Sequence, residues 1–285
     1  MERIKLAIEK AKSQSTQGVV SEPPLVESQP LHTLDDAGPV ASPTLPPIAT
    51  QVDVRYERTQ VMKLDQAHLD RHRVIAHQKT HPANWAFDVL RTQVLQQMDE
   101  NGWRTLAITS PTMESGKTLV SINLAMSIAH QTDRTALLVD FDLRRPRVSS
   151  LLGLQRSVSL NEVLTDQVDL AEAMVNPGMP RLVVLPTSRP VLNASEVLSS
   201  AKVAGLITEL RERYSDRIVL FDLPPVLAAD DVMAILPRID CVLMVVASGM
   251  STEKEIEESM ARLSRANLLG VVLNKDKTPT SNAYY

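Results

Sequence analysis

The run Thr135-Ala-Leu-Leu-Val-Asp-Phe-Asp-Leu-Arg-Arg-Pro146 carries the densest chemistry in the sequence. An apolar stretch ends on Asp140 and Asp142, spaced i and i+2, and a strand turns residues at that spacing to the same side. Upstream, Ser115-Gly-Lys-Thr118 also follows an apolar stretch. Downstream, Arg217-Ile-Val-Leu-Phe-Asp222 ends on a third Asp before Pro224-Pro225. A lysine, a hydroxyl and three carboxylates are the donor set of a Mg²⁺–nucleotide site: the ammonium takes phosphate charge, and the oxygen donors take the metal.

Gly116-Lys117-Thr118 matches the end of the phosphate-loop pattern G-x-x-x-x-G-K-[ST], although Pro111 stands at its first glycine position. Backbone N–H groups at a helix start attract phosphate. Ser115, Gly116, Lys117 and Thr118 are therefore expected to hold ATP, with Lys117 exposed at the helix start and bridging the β- and γ-phosphates. Thr118 is expected to ligate Mg²⁺, and Asp222 to hold it directly or through water. Asp140 and Asp142 are candidates for metal binding and for accepting a proton from an attacking hydroxyl, which requires hydrogen-bond reach; the sequence does not divide these two roles. Arg144 and Arg145 are read as partners of phosphate or of an Asp.

From Arg104 onward, short apolar runs alternate with helical patterns. Strands are expected at 104–109, 135–140, 181–186, 217–222, 241–247 and 268–273, and helices at 117–131, 159–166, 169–175, 195–213, 228–236 and 252–265. A further helix opens at Pro82 and runs to about Met98. The strands are unbroken Val, Ile and Leu runs, which suit a parallel sheet covered on both faces. The fold class is α/β, a mostly parallel P-loop NTPase-like sheet with helices on both faces, and ligands of such sheets bind beyond the carboxyl ends of the strands.

Composition divides the chain into four parts. Residues 1–51 read as a disordered region with a short amphipathic helix at 1–12, because the Pro- and Ser-rich stretch 21–50 has too little apolar surface to offset chain entropy. Residues 52–82 regain an apolar pattern and are expected to pack on the core. Residues 83–274 form the main domain, and 275–285 a flexible polar tail that closes on Tyr284 and Tyr285. With a net charge of −4 and no basic run, no nucleic-acid partner is expected. The single cysteine, Cys241, allows no disulfide framework. The start alternates charge with apolar residues rather than resembling a signal peptide. No apolar run reaches the ~20 residues of a membrane span, so the expected address is the cytoplasm.

Three motifs together resemble the bacterial tyrosine kinases of the polysaccharide co-polymerase type: Ile108-Thr-Ser-Pro111 with Gly116-Lys-Thr118, Leu138-Val-Asp-Phe-Asp-Leu-Arg-Arg-Pro146, and Val219-Leu-Phe-Asp-Leu-Pro-Pro-Val226. Asn193-Ala-Ser-Glu-Val-Leu198 and Gly270-Val-Val-Leu-Asn274 are similar to further elements of that family. The likeness covers Ala86 to Asn274, and its specific part is the second motif with Arg-Arg-Pro. Met1 to Ala11 is similar to the opening helix of an exosortase-associated branch.

The resemblance implies an ATP- and Mg²⁺-dependent tyrosine autokinase that regulates exopolysaccharide or capsule synthesis, chain length or export. It implies that Asn274 faces the adenine and that Tyr284 and Tyr285 are phosphoacceptors. It also implies a separate membrane-embedded chain-length regulator as partner, holding the protein at the inner membrane, and a homo-oligomer. Two departures accompany it. Glu114 replaces a loop glycine, and the assembly pattern Glu-x-x-Arg-x-x-Arg reads Trp85, Asp88 and Arg91 here. A regulatory ATPase or scaffold without kinase activity is the alternative. A MinD- or ParA-like positioning ATPase is weaker, because Thr112 stands where those proteins carry a second lysine.

Overall fold

A computed structural model describes residues 59–276 except Arg156 and Ala229. The helix expected at 1–12, the disorder expected over 1–51, residues 52–58 and the terminal tyrosines all lie outside the described residues. The main body is an eight-stranded sheet, with β1 at Gln60–Val61, β2 at Thr105–Thr109, β3 at Thr135–Asp140, β4 at Val175–Asn176, β5 at Leu182–Leu185, β6 at Arg217–Asp222, β7 at Cys241–Ala247 and β8 at Leu268–Asn274. Their order across the sheet is β1-β4-β5-β3-β6-β2-β7-β8. The six strands from β5 to β8 in that order are parallel, β4 pairs antiparallel with β5, and β1 runs parallel to β4.

Helices cover both faces: α1 at Gln66–Arg71, α2 at Asn84–Asn101, α3 at Lys117–Ala129, α4 at Val148–Leu152, α5 at Leu160–Leu164, α6 at Leu170–Ala173, α7 at Ala194–Ser199, α8 at Ala201–Glu212, α9 at Asp231–Ile235 and α10 at Glu253–Arg262. Strand periodicity sorts the core into two layers. Ala136 and Leu138 of β3, with Ile218 and Leu220 of β6, face one cluster that includes Val94 and Met98 of α2 and Ile122 and Met126 of α3. Leu137, Val139, Val219 and Phe221 face the other, with Val203 and Leu206 of α8 and Ile235 of α9. Every residue of β2, β3, β5, β6 and β7 is buried, which is why these strands read as unbroken apolar runs.

The expected helix at 195–213 is two helices. Ser200 is extended, with φ −66° and ψ 154°, and its side chain accepts from the Val203 amide, so it ends α7 and caps α8. The helix expected at 169–175 ends at Ala173, and its last part becomes β4. The helix expected at 228–236 starts only at Asp231, and the one expected from Pro82 starts at Asn84. The stretch around Ile75 lies along α3: the Ile75 and Ala76 amides donate to Asn123 Oδ1 at 2.8 and 2.9 Å, and Val74 is fully buried.

Candidate functional site

Parallel order brings the carboxyl ends of β2, β3 and β6 together, with Asp140 and Asp222 in direct register across β3 and β6. The loop after β2 leads into α3, whose N-cap is Gly116 with φ +87°. A Cβ at Gly116 would collide with the Asn274 Nδ2 atom, so glycine is required twice over, for backbone sign and for space. Asn274, at the end of β8, donates that same amide to the Ser115 carbonyl at 2.8 Å. Ser115 is buried and its hydroxyl donates to the Thr112 carbonyl at 3.0 Å. The loop is thus held on itself and to the end of β8.

Lys117 is not the exposed residue that its place at a helix start suggests. It is 8 % exposed, with Nζ 2.7 Å from Asp142 Oδ2 and 3.6 Å from Asp222 Oδ2. Burial alone would discourage its charge, but Asp222 and Asp142 outweigh it and hold the ammonium above its usual pKa. The Thr118 hydroxyl donates to Asp222 Oδ2 at 2.7 Å, and Ser121, one turn along α3, donates to Asp222 Oδ1 at 3.1 Å. Ser121 was missed from the sequence. Its position four residues after Lys117, on the helix face that carries the loop lysine, was the available signal.

Asp140 and Asp142 do not converge as an i, i+2 pair. β3 stops at Asp140, and Asp142 lies in the loop beyond it. The Asp140 carboxylate turns to the start of α4, where Oδ2 accepts from the Arg147 and Val148 amides at 3.1 and 3.0 Å. Asp142 turns to Lys117 and also accepts from the Arg145 amide at 3.0 Å. Burial and then the Asp222 charge push the Asp140 carboxyl well above the usual carboxylate range; burial raises Asp222 as well, against the pull of Lys117.

Asp142 and Asp222 therefore share the buried Lys117 ammonium, with the buried Asp140 carboxylate beside Asp222. Among the described residues no group of three or more His, Cys, Asp or Glu side chains forms a ready metal cage. The donor set nonetheless fits Mg²⁺, which takes one or two carboxylates, keeps several waters and relies on substrate phosphates for the rest. Thr118, Asp222 and the adjacent Asp140 or Asp142 are the oxygens that could hold it. A cavity of about 280 Å³ lies at the other end of the sheet, lined by Trp103, Arg104, Arg134 and Asp216, far from these groups.

The raised carboxyls carry a pH consequence. A carboxyl whose folded pKa lies above its unfolded value adds stability below the unfolded pKa and loses it as pH rises through the folded one. The nucleotide-free protein should therefore lose stability as pH rises from the ordinary carboxylate range through the raised values of Asp140 and Asp222. Asp140→Asn should flatten this fall. Each kcal/mol relieved raises Tm by roughly 2–4 °C in a domain of this size. Melting curves at pH 5 and pH 8 test it, and an equal Tm change at both would contradict it.

Glu114 is exposed and sits at φ +64°. A side chain in that left-handed region costs about 1–2 kcal/mol relative to glycine. Glu114→Gly should stabilise the fold by about 1 kcal/mol and tighten nucleotide binding, since it also removes a negative charge from the phosphate loop. Chemical denaturation and calorimetry read the two effects separately; no change in either would show that the strain and the charge are both inconsequential.

Of the other sequence-derived candidates, Arg144 pairs with Asp231, 87 residues away in the chain, at 2.6 Å. Arg145 is exposed and points to the Met113 sulfur. Trp85 on α2 is 59 % exposed. Arg91 is folded back on its own domain: it binds Asp88 at 2.7 Å and the Ser127 hydroxyl at 3.2 Å. Tyr284 and Tyr285 fall outside the described residues. No helix among the described residues is long and apolar enough to cross a membrane.

Residues 104–266 match a family described as an AAA domain. The tyrosine-protein kinase Etk of Escherichia coli K12 is 33% identical over 201 residues, which is 70% of this chain but 27% of that protein, so the chain spans about a quarter of this relative. The kinase domain of the Escherichia coli tyrosine kinase Etk superposes with a TM-score of 0.67 at 29% identity, covering 81% of this chain and 88% of that one. The septum site-determining protein MinD of Pyrococcus horikoshii OT3, complexed with Mg-ADP, is more distant, with a TM-score of 0.51 at 24% identity over 60% of this chain, and shares the fold. The chain belongs to the AAA-domain family of nucleotide-binding proteins, with bacterial tyrosine-protein kinases as its relatives.

Proposed function

We propose that this chain is an ATP-dependent protein-tyrosine autokinase that regulates exopolysaccharide or capsule synthesis, chain length or export. The observation that carries the proposal is the cluster of Lys117, Thr118, Asp142 and Asp222 at one helix start, with Lys117 2.7 Å from Asp142 and Thr118 2.7 Å from Asp222. In this reading Ser115, Gly116, Lys117 and Thr118 hold the triphosphate, and Asn274 borders the adenine. Thr118, Asp140 and Asp222 hold Mg²⁺, which would supply charge neutralisation at the phosphates. Nucleotide entry exchanges the Lys117–Asp142 contact for a Lys117–phosphate contact, which frees the Asp142 carboxylate. A tyrosine oxygen then bonds to the γ-phosphorus and the bond from that phosphorus to the bridging oxygen breaks. ADP leaves, and the phenolic proton passes to Asp142 or Asp140.

The acceptors in this reading are Tyr284 and Tyr285, reached in a neighbouring copy. Residues 275–285 would span roughly 35 Å if extended. The partner would be a separate membrane-embedded chain-length regulator that brings residues 83–274 to the inner face of a membrane. Exchange of the family's assembly positions for Trp85 and Asp88, with Arg91 turned inward, makes a homo-oligomer dependent on other contacts.

The test mixes a Lys117→Met chain, as acceptor, with a chain lacking residues 284 and 285, as donor, in Mg-ATP. Phosphotyrosine at 284 or 285 of the Lys117→Met chain is the expected result. Robust ATP hydrolysis by the donor with no phosphotyrosine would instead favour a regulatory ATPase or scaffold of the assembly machine. That second reading has one specific observation behind it, the strained Glu114 in the phosphate loop.

A further inference from the structure

We propose that Arg144 is a positioning residue, which fixes the loop that carries Asp142 through a clamp built on Asp231 and Ser195. Arg144 Nε donates to Asp231 Oδ2 at 2.6 Å and its Nη2 to Asp231 Oδ1 at 3.0 Å, a two-pronged contact. The same Nη2 donates to the Ser195 hydroxyl at 3.1 Å, and that hydroxyl donates to Asp231 Oδ1. One guanidinium thereby ties the loop after β3 to the first turns of both α7 and α9.

The asymmetry of burial shows which partner depends on the other. Asp231 is fully buried, whereas the Arg144 side chain is 46 % exposed. A buried carboxylate without its cation is costly. The contacts from Arg144 and Ser195 overcome the effect of burial and hold Asp231 below the usual carboxylate pKa. The ion pair is therefore a fixed anchor for the loop rather than a passing surface contact.

The loop itself is short and bracketed. On one side of Asp142, the Phe141 amide donates to the Asp222 carbonyl at 2.9 Å. On the other, Leu143 is fully buried and its carbonyl accepts from the Val191 amide at 2.8 Å, and Arg144 follows in the clamp. Asp142 sits between these anchors, where Oδ1 takes the Arg145 amide and Oδ2 takes Lys117. Misplacing a reacting group by about 1 Å can cost 10²-fold in rate. Lysine cannot reproduce a two-pronged contact plus a third bond to a hydroxyl.

This inference rests on the nucleotide-turnover reading above. The test measures ATP turnover, Tm and amide hydrogen exchange in the full chain and in Arg144→Lys, Ser195→Ala, Asp231→Asn and the Arg144→Lys/Asp231→Asn pair. In Arg144→Lys, kcat should fall about 10-fold while KM for Mg-ATP stays within about two-fold, since the phosphate loop is untouched. The Arg145 amide should exchange faster, while α3 amides keep their protection. The double variant should be no slower than the worse single. Parent-level kcat in a folded Arg144→Lys protein, a loss confined to KM, or faster exchange spread across the whole domain would each overturn the clamp. If Asp231→Asn does not fold, Ser195→Ala still decides, because it keeps both charges and should lower kcat by a smaller factor with KM unchanged; unchanged kcat there counts against the clamp. A parent protein with no ATP turnover at all would overturn the broader reading as well.

Discussion

Lys117→Met is expected to abolish nucleotide binding, leaving no saturable heat in calorimetry at millimolar Mg-ATP. The ammonium stands 2.7 Å from Asp142 and 3.6 Å from Asp222, and with it gone a triphosphate would enter a site of like charge. The fold will not escape unaffected. Lys117 is 8 % exposed and paired, not loosely solvated, and removing one partner of a buried pair costs about 3–5 kcal/mol when the other charge stays uncompensated. The carboxyls can shed that cost by taking up protons, so the variant should be most stable at mildly acidic pH. Circular dichroism at pH 6 establishes that it is folded before binding is measured. A folded variant with undiminished affinity would remove Lys117 from the site.

Asp142→Asn is expected to lower ATP turnover by about 10²-fold, the scale for losing a positioned proton acceptor. Shape is kept, the Arg145 amide still has an oxygen to bond, and only the charge facing Lys117 is lost. Asp140→Asn is expected to lower turnover to a similar degree for a different reason. Its carboxylate caps α4 and lies beside Asp222, and in the proposed reading it is one of the oxygens that would hold Mg²⁺, so the change weakens the metal site more than proton acceptance. Rate against Mg²⁺ concentration separates the two: excess Mg²⁺ should restore part of the Asp140→Asn rate and none of the Asp142→Asn rate. Wild-type turnover in both variants at saturating Mg²⁺ would end the paired-carboxylate account.

Much of the frame was legible because its signals are local. Strands buried on both faces must be apolar at every position, so Leu138, Val139, Val219, Leu220 and their neighbours announce themselves as unbroken runs. A glycine followed by Lys-Thr between an apolar run and a helical pattern marks a phosphate loop, because only that residue tolerates φ +87° at the cap. The two-residue strands Gln60–Val61 and Val175–Asn176 carry no such signal. Two residues cannot display a period, and their place was set by the edge of β5 rather than by their own sequence. The break at Ser200 was similarly hidden, since a serine suits a helix interior poorly but a cap well, and only the Val203 amide bond decides between them.

At the site, residue types and chain spacing alone picked out groups that the fold brings together: Lys117, Thr118, Asp140, Asp142 and Asp222 are all at or beside strand ends and a helix start. What they do to one another belonged to tertiary structure. The i, i+2 spacing of Asp140 and Asp142 predicted a shared direction, but β3 stops between them, so one carboxylate caps α4 and the other meets Lys117. Lys117 changed from exposed to buried, Ser121 joined the cluster, and Arg144 found Asp231 across 87 positions of chain. Spacing reports direction only while the backbone stays regular. Burial, charge sharing and long-range ion pairs depend on which segments the sheet order makes neighbours, and that order is a property of the packed core rather than of any window of sequence.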